Sequence, residues 1–308
     1  MRIVFMGTPE FAAFFLETLL QNGHSISLVV TQPDRPKGRG QKPAAPPVKE
    51  KALALGLPVV QPESLKSEAF HEYIAAQHAD LLVVVAFRIL PPSLFPLARY
   101  GAVNVHGSLL PKYRGAAPIQ WAVANGETET GVTIFRLDGE IDHGEILARA
   151  KTRIGPDETA GELFSRLSGL GRDLLMTTLA DLENGRAVPV EQDHALATPA
   201  PKLRKEDGRL DWNLPAEILH NRVRAFNPYP ICYTVAKESS RTLRIHSACV
   251  ADGPNPGFGR MRPDANYFPV VGTGEGALRL LEVQWEGKPR MRGQDFVNGL
   301  RGQLLRFV

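Results

Sequence analysis

Residues 81–86 read LLVVVA, an apolar run with no polar position inside it. A strand with one face in water alternates apolar and polar side chains, so an unbroken run belongs to a strand covered on both faces. Further strands are expected over 2–6, 25–30, 57–60, 102–105, 132–137 and 146–152. Helical spacing is expected over 11–22, 48–55, 69–78, 119–125 and 160–184. Strands that alternate with helices predict an α/β fold with a doubly wound, mostly parallel sheet.

Beyond residue 190 the pattern changes. Residues 192–207 are polar and aperiodic and read as a linker. One helix is expected over 215–225, then short strands over 233–236, 242–248, 268–272 and 277–284, punctuated by Gly and Pro. Such spacing predicts a small β-barrel. A chain of 308 residues is also longer than one core usually serves, which fits two domains.

Several function classes are disfavoured. No run approaches the roughly 20 apolar residues of a membrane span. The strand-to-helix turn FMGTPEF (5–11) has one glycine where dinucleotide enzymes carry three, which disfavours NAD. No P-loop motif occurs, which disfavours ATP chemistry. Cys232 and Cys249 have no metal-ligand spacing, and neither H-E-x-x-H nor C-x-x-C is present, so no metal is expected. Free thiols and the lack of a signal-peptide pattern fit a cytoplasmic protein.

The net charge of +3 conceals two cationic segments. Residues 31–51 hold Arg35, Lys37, Arg39, Lys42, Lys49 and Lys51 against Asp34 and Glu50. Residues 286–308 hold Lys288, Arg290, Arg292, Arg301 and Arg306 against Glu286 and Asp295. Local excess of this kind attracts a polyanion, although charge clusters are commonly just solvated surface. The stretch 33–47, PDRPKGRGQKPAAPP, has no period and is expected to be a long exposed loop.

Chemistry is most legible in NVHGSLLPKYRGAAPIQWA (104–122). Asn104 and His106 lie two apart at a strand end and therefore share a face. A carboxamide beside an imidazole suits a developing oxyanion, and open α/β sheets bind ligands at the carboxyl ends of their strands. A histidine satisfied by nearby backbone would look the same in sequence. An acid holding the imidazole would tip the balance towards chemistry. RLDGEIDHGEIL (136–147) offers Asp138, Glu140, Asp142 and Glu145, and spacing does not choose among them.

Six stretches together resemble the 10-formyltetrahydrofolate-dependent formyltransferases, and the methionyl-tRNA formyltransferase family in particular. They are MRIVFMGTPEF (1–11), VTQPDRPKGRGQK (30–42), the 104–122 stretch, ETGVTIFRLD (129–138), KLRKEDGRLDW (202–212) and VRAFNPYP (223–230). N-H-x-S-L-L-P is common to folate-dependent formyltransferases. The basic loop and the K-L-x-K-E-D-G-x-x-D-W junction are more particular to the tRNA enzymes.

The resemblance implies a Rossmann-like catalytic domain over 1–188, a linker over 189–206 and an OB-like tRNA-binding domain over 207–308. It implies 10-formyltetrahydrofolate as donor and the methionyl initiator tRNA as acceptor, in a monomer without metal, NAD or ATP. Asn104, His106 and Asp142 match the catalytic residues. Ser108, Leu109, Leu110 and Pro111 match the folate loop, and Phe87, Arg88, Ile89 and Leu90 match the pterin pocket. Arg35, Lys37, Arg39 and Lys42 match the insertion that meets the acceptor stem, with Arg39 foremost. Lys202 and Lys205 lie in the junction and are candidate tRNA contacts, and Lys112 and Arg114 are expected near the incoming RNA end.

Three positions depart from the family pattern. Arg88 stands where a glycine is usual. In DGEIDHG (138–144), Glu140 replaces a glycine and His143 a threonine. An ion pair between Arg88 and Glu140 would account for two of these together. Two other readings share the motif core: a formyltransferase for a sugar amine or a formylfolate hydrolase, and an RNA-binding protein with an inactive transferase domain.

Overall fold

The structure is a computed structural model that describes residues 1–37 and 42–308, with backbone only at Lys37 and Lys42. It divides into two compact units. The first comprises Met1–Gly115, Gly131–Thr152 and Arg166–Pro199, and the second Ala116–Thr130, Arg153–Ser165 and Ala200–Val308.

The chain runs β1 (Arg2–Gly7), α1 (Glu10–Gln21), β2 (Ser25–Val30), β3 (Arg35–Lys37), β4 (Lys42–Ala44), α2 (Pro47–Ala54), β5 (Val59–Val60) and α3 (Glu68–Ala75). It continues through β6 (Leu81–Val85), β7 (Ala102–His106), β8 (Arg114–Gly115), α4 (Pro118–Ala124), β9 (Glu129–Arg136), β10 (Ile146–Arg153), α5 (Ala160–Glu183) and β11 (Pro199–Ala200). The main sheet has the order β10-β9-β7-β6-β1-β2-β5. Its pairings are parallel from β7 through β5, and β9 runs antiparallel to β7.

The run at 81–85 becomes β6, inside the sheet between β1 and β7, with all five side chains buried. Leu82 and Val84 join Val4, Met6, Leu28 and Val30 under Phe70 and Ile74 of α3. Each such side chain contributes about 1.5–3 kcal/mol on burial. On the other face α5 lies close to the sheet. A Cβ at Gly171 would stand 3.1 Å from the Phe15 ring and 3.3 Å from Val132, so glycine permits that approach.

One expectation is corrected here. The 33–47 stretch is not all loop: β3 and β4 pair antiparallel with Arg35 opposite Ala44 and Lys37 opposite Lys42. Pro36 faces Pro43, which is tolerated because each strand has a single neighbour. Prolines and cations give such a hairpin no hydrophobic period to read.

In the second unit, α6 (Ala216–Ala225) packs on an antiparallel sheet. The strands are β12 (Cys232–Val235), β13 (Thr242–Val250), β14 (Met261–Pro263), β15 (Pro269–Gly272), β16 (Ala277–Trp285) and β17 (Met291–Arg292), followed by α7 (Gly293–Gly299). The order is β12-β13-β16-β15-β14, with β17 also on β16. Residues 305–308 stitch the two outer strands together. Phe307 bridges Ala236, Arg306 bridges Arg260, and Met261 N–H donates to Leu305 at 3.0 Å. Both cysteines are free, and burial pushes the Cys232 thiol up to about 12. Among the described residues no helix is long and apolar enough to cross a membrane.

Candidate active site

Alternation along β7 puts Ala102, Asn104 and His106 on one face, and Ala102 lies in the core under α3. His106 is 5% exposed, with Phe135 edge-on to its ring at 6.4 Å. Its Nε2 lies 2.9 Å from the Tyr113 carbonyl. A carbonyl only accepts, so Nε2 carries a proton. Nδ1 faces Asp142 Oδ2 at 3.5 Å, longer than a good hydrogen bond. The Oδ1 end of the Asn104 amide is buried with no hydrogen-bond partner. A buried polar atom without a partner is costly unless a ligand completes it, so this oxygen fits a bound hydrogen-bond donor.

The fold selects one acid from the 138–145 cluster. Asp142 is 9% exposed, and its backbone sits at φ +50°, in the left-handed region. Its Oδ2 accepts the Gly115 N–H at 2.7 Å. Asp138 instead accepts from His143 Nδ1 at 2.6 Å, and Glu140 lies 3.9 Å from His143 Nε2.

The loop after β7 is tied down at several points. Ser108 Oγ donates to the Lys112 carbonyl at 2.6 Å. Thr133 Oγ1 donates to the Ser108 carbonyl at 2.7 Å and accepts the Leu110 N–H at 3.1 Å. Tyr113 N–H donates to Thr198 Oγ1 at 2.8 Å. Leu110 packs with Phe135 and Ile146, Pro111 is buried, and Leu109 is half-buried.

The segment after β6 is more open. Ile89 is 70% exposed, Leu90 is buried, and Phe87 packs at the edge of the α3-side core. Arg88 donates to the carbonyls of Pro62 at 2.8 Å and Glu63 at 3.1 Å. The expected ion pair between Arg88 and Glu140 is therefore absent; Arg88 bonds to the backbone that follows β5, and Glu140 turns to His143. Burial, and secondarily the charge of Arg35, hold the Arg88 guanidinium below its ordinary value.

Of the cationic candidates, Arg35 is exposed on β3, and Lys37 and Lys42 stand opposite each other in the hairpin. Arg39 lies outside the described residues. At the hairpin root, Lys49 Nζ bonds both oxygens of Asp34 at 2.8 and 2.9 Å, and Gln61 Nε2 bonds it at 2.7 Å. These bonds hold the Asp34 carboxyl below its usual value. Lys202 and Lys205 are exposed, the latter in a 3-10 turn over Lys205–Gly208.

Two contributors escaped sequence reasoning. Thr133 and Gln192 are buried polar residues that bond the site loops. Neither sits in a chemical motif. Arg114, expected near RNA, has a guanidinium that donates to Gln192 Oε1 at 2.7 Å and to His194 Nδ1 at 2.8 Å. Among the described residues no group of three or more His, Cys, Asp or Glu side chains is placed to hold a metal ion.

A doubly wound sheet with Asn104 and His106 at the carboxyl end of a strand, and Asp142 facing the imidazole, has the layout of a group-transfer site that could stabilise an oxyanion. Residues 1–179 match the family described as formyl transferase, and residues 202–301 match the formyl transferase C-terminal domain. The chain belongs to the formyl transferase family, and within it to the methionyl-tRNA formyltransferases.

It is 49% identical over 304 residues to the methionyl-tRNA formyltransferase of Solibacter usitatus, covering 98% of this chain and 96% of that protein. It is 48% identical to the enzyme of Acidobacterium capsulatum, covering 97% of this chain and 96% of that protein. Among solved structures, it is similar to WlaRD, a sugar 3N-formyl transferase determined with dTDP and 5-N-formyl-THF. The TM-score is 0.67 at 19% identity, over 94% of this chain and 99% of that one. It is also similar to HypX from Aquifex aeolicus in complex with tetrahydrofolic acid. There the TM-score is 0.66 at 16% identity, over 98% of this chain and 48% of that one. These structures support the fold.

Proposed function

We propose that this enzyme moves the formyl group of 10-formyltetrahydrofolate to the α-amino group of methionyl initiator tRNA, with Asn104, His106 and Asp142 at the point of transfer. The observation that carries this reading is the buried His106–Asp142 pair beside Asn104, whose Oδ1 is buried without a hydrogen-bond partner.

The neutral amine attacks the formyl carbon, and negative charge gathers on the formyl oxygen. Asn104 donates a hydrogen bond to that oxygen. His106, with both ring nitrogens protonated, supplies a second through Nδ1, the ring nitrogen without a short bond of its own. Asp142 orients the ring and, through a water, accepts the proton the amine gives up. The bond from the formyl carbon to N10 then breaks, and N10 takes a proton. One formyl group is exchanged for one proton, with no covalent enzyme intermediate.

In the same reading, the donor lies along the backbone of Ser108–Pro111 and the Phe87–Leu90 segment. Residues 1–188 form the catalytic part and 207–308 help hold tRNA in the cytoplasm. Arg35, Lys37 and Lys42 meet phosphates, which position rather than specify. Arg39 probes the first base pair of the acceptor stem, and Lys202 and Lys205 add contacts. Discrimination follows because opening a good pair costs a few kcal/mol.

The test mixes the protein with 10-formyltetrahydrofolate and methionine-charged initiator tRNA, with charged elongator tRNA as control. Formylation of the initiator alone supports the reading. Retention of folate without transfer overturns the proposed acceptor and directs the search to other amines. Equal formylation of both tRNAs removes the proposed role of the hairpin.

A further inference from the structure

We infer that Gln192 is a positioning residue for formyl transfer, acting through Asp142 and resting on the reading of Asp142 given above. Gln192 is 3% exposed in a segment whose neighbours Glu191, Asp193 and His194 are all exposed. Its amide is fully engaged. Nε2 donates to the carbonyls of Asp142 at 3.0 Å and Gly144 at 2.8 Å, while Oε1 accepts from Arg114 at 2.7 Å. A buried amide with three such partners is held in place by those bonds, and losing it would leave several buried polar groups unpaired.

The bonds fall where the site needs support. Asp142 occupies the left-handed region, which a non-glycine residue keeps only when its surroundings over-determine it. Gln192 pins the carbonyls at 142 and 144, on both sides of His143. At Gly144 a side chain would meet the Arg136 carbonyl, so glycine permits the turn to lie this close to β9. So held, Asp142 directs its carboxylate to the Gly115 N–H and to His106.

Through Arg114, the same amide also secures the segment next to Tyr113, whose carbonyl holds the other ring nitrogen of His106. His194 adds a second tie. It accepts from Arg114 and stacks on His143 at 3.9 Å with the rings 2° from parallel. One side chain remote in sequence thus spans the two loops that grip the imidazole.

The test compares Gln192→Glu, Gln192→Leu, Asp142→Asn and the double variant Asp142→Asn/Gln192→Leu. Glutamate preserves the acceptor for Arg114 and removes both donors to the turn. Both Gln192 variants are expected to lose about 10²-fold in kcat, the scale of a misplacement near 1 Å. Tetrahydrofolate affinity and KM for charged tRNA are expected to hold. The pH profile of kcat should change as it does in Asp142→Asn, and Gln192→Leu should add no further loss in that background.

Wild-type kcat in Gln192→Glu, with Asp142→Asn inactive, overturns the inference alone. So does a full additional loss in the double variant. Loss of folate binding together with a lowered Tm in both Gln192 variants assigns the residue to stability instead. Full activity in Asp142→Asn overturns the reading of Asp142 and this inference with it.

Discussion

Two loops leave the same edge of the sheet, one after β2 and one after β7, and they are built in opposite ways. The loop after β7 buries its polar groups and fastens Ser108, Leu110, Tyr113 and Arg114 to Lys112, Thr133, Thr198 and Gln192. The segment after β2 forms a hairpin with Arg35 exposed on it, rooted by a largely surface ion pair of Asp34 with Lys49. The first arrangement holds a few atoms where a small reacting group needs them. In the proposed reading the second presents charge to something large, and fine placement matters less there.

That contrast breaks first at His106. His106→Ala should reduce transfer by about 10²–10³, the usual cost of a lost oxyanion donor, while equilibrium binding of tetrahydrofolate persists. A parallel fall in folate binding would make the β7 loop a donor clamp before anything else.

On the hairpin, replacing Arg35, Lys37, Arg39 and Lys42 with serine should raise KM for charged tRNA about 10-fold or more. The salt dependence should flatten by about one unit for each phosphate that is no longer neutralised. Single-turnover transfer at saturating tRNA should move little. A large kcat effect would mean that the hairpin also aligns the acceptor end.

A third comparison concerns stability. Thr133→Val leaves the Ser108 carbonyl and Leu110 N–H unpaired in the core and should cost about 1–3 kcal/mol in urea unfolding. Asp34→Ala should leave global unfolding unmoved and make residues 33–47 more open to limited proteolysis. Because its partners lower the Asp34 carboxyl, its contribution is present above the usual carboxylate value and is lost as pH falls through the lower folded value. The Gln61 side-chain amide signal should therefore begin to shift only below about pH 4.

The same contrast explains what the sequence could reveal. β1 and β6 announced themselves because burial on both faces demands unbroken apolar runs, and Asn104 with His106 stood out at the end of β7. α7 and β14 did not, since GQDFVNG and MRP carry too few apolar residues to mark a face. The hairpin was hidden by its prolines. Among the acids after β9, side-chain identity was silent; only the left-handed turn at Asp142 and its bond to Gly115 separate it from Asp138 and Glu140. Gln192 gave no signal at all, because a neutral amide in a polar stretch looks solvated until carbonyls 48 and 50 residues earlier are brought to it.

The stitch formed by residues 305–308 has a consequence for genetic lesions. A lesion that deleted these residues would spare Asn104, His106, Asp142 and the β3–β4 pairing. It would also strip the pairing from β12 and from the neighbourhood of β14, leaving two sheet edges bare. Bare edges recruit strands from other chains. Such an allele is expected to fail through self-association and clearance of the product, with every residue of the transfer chemistry still encoded.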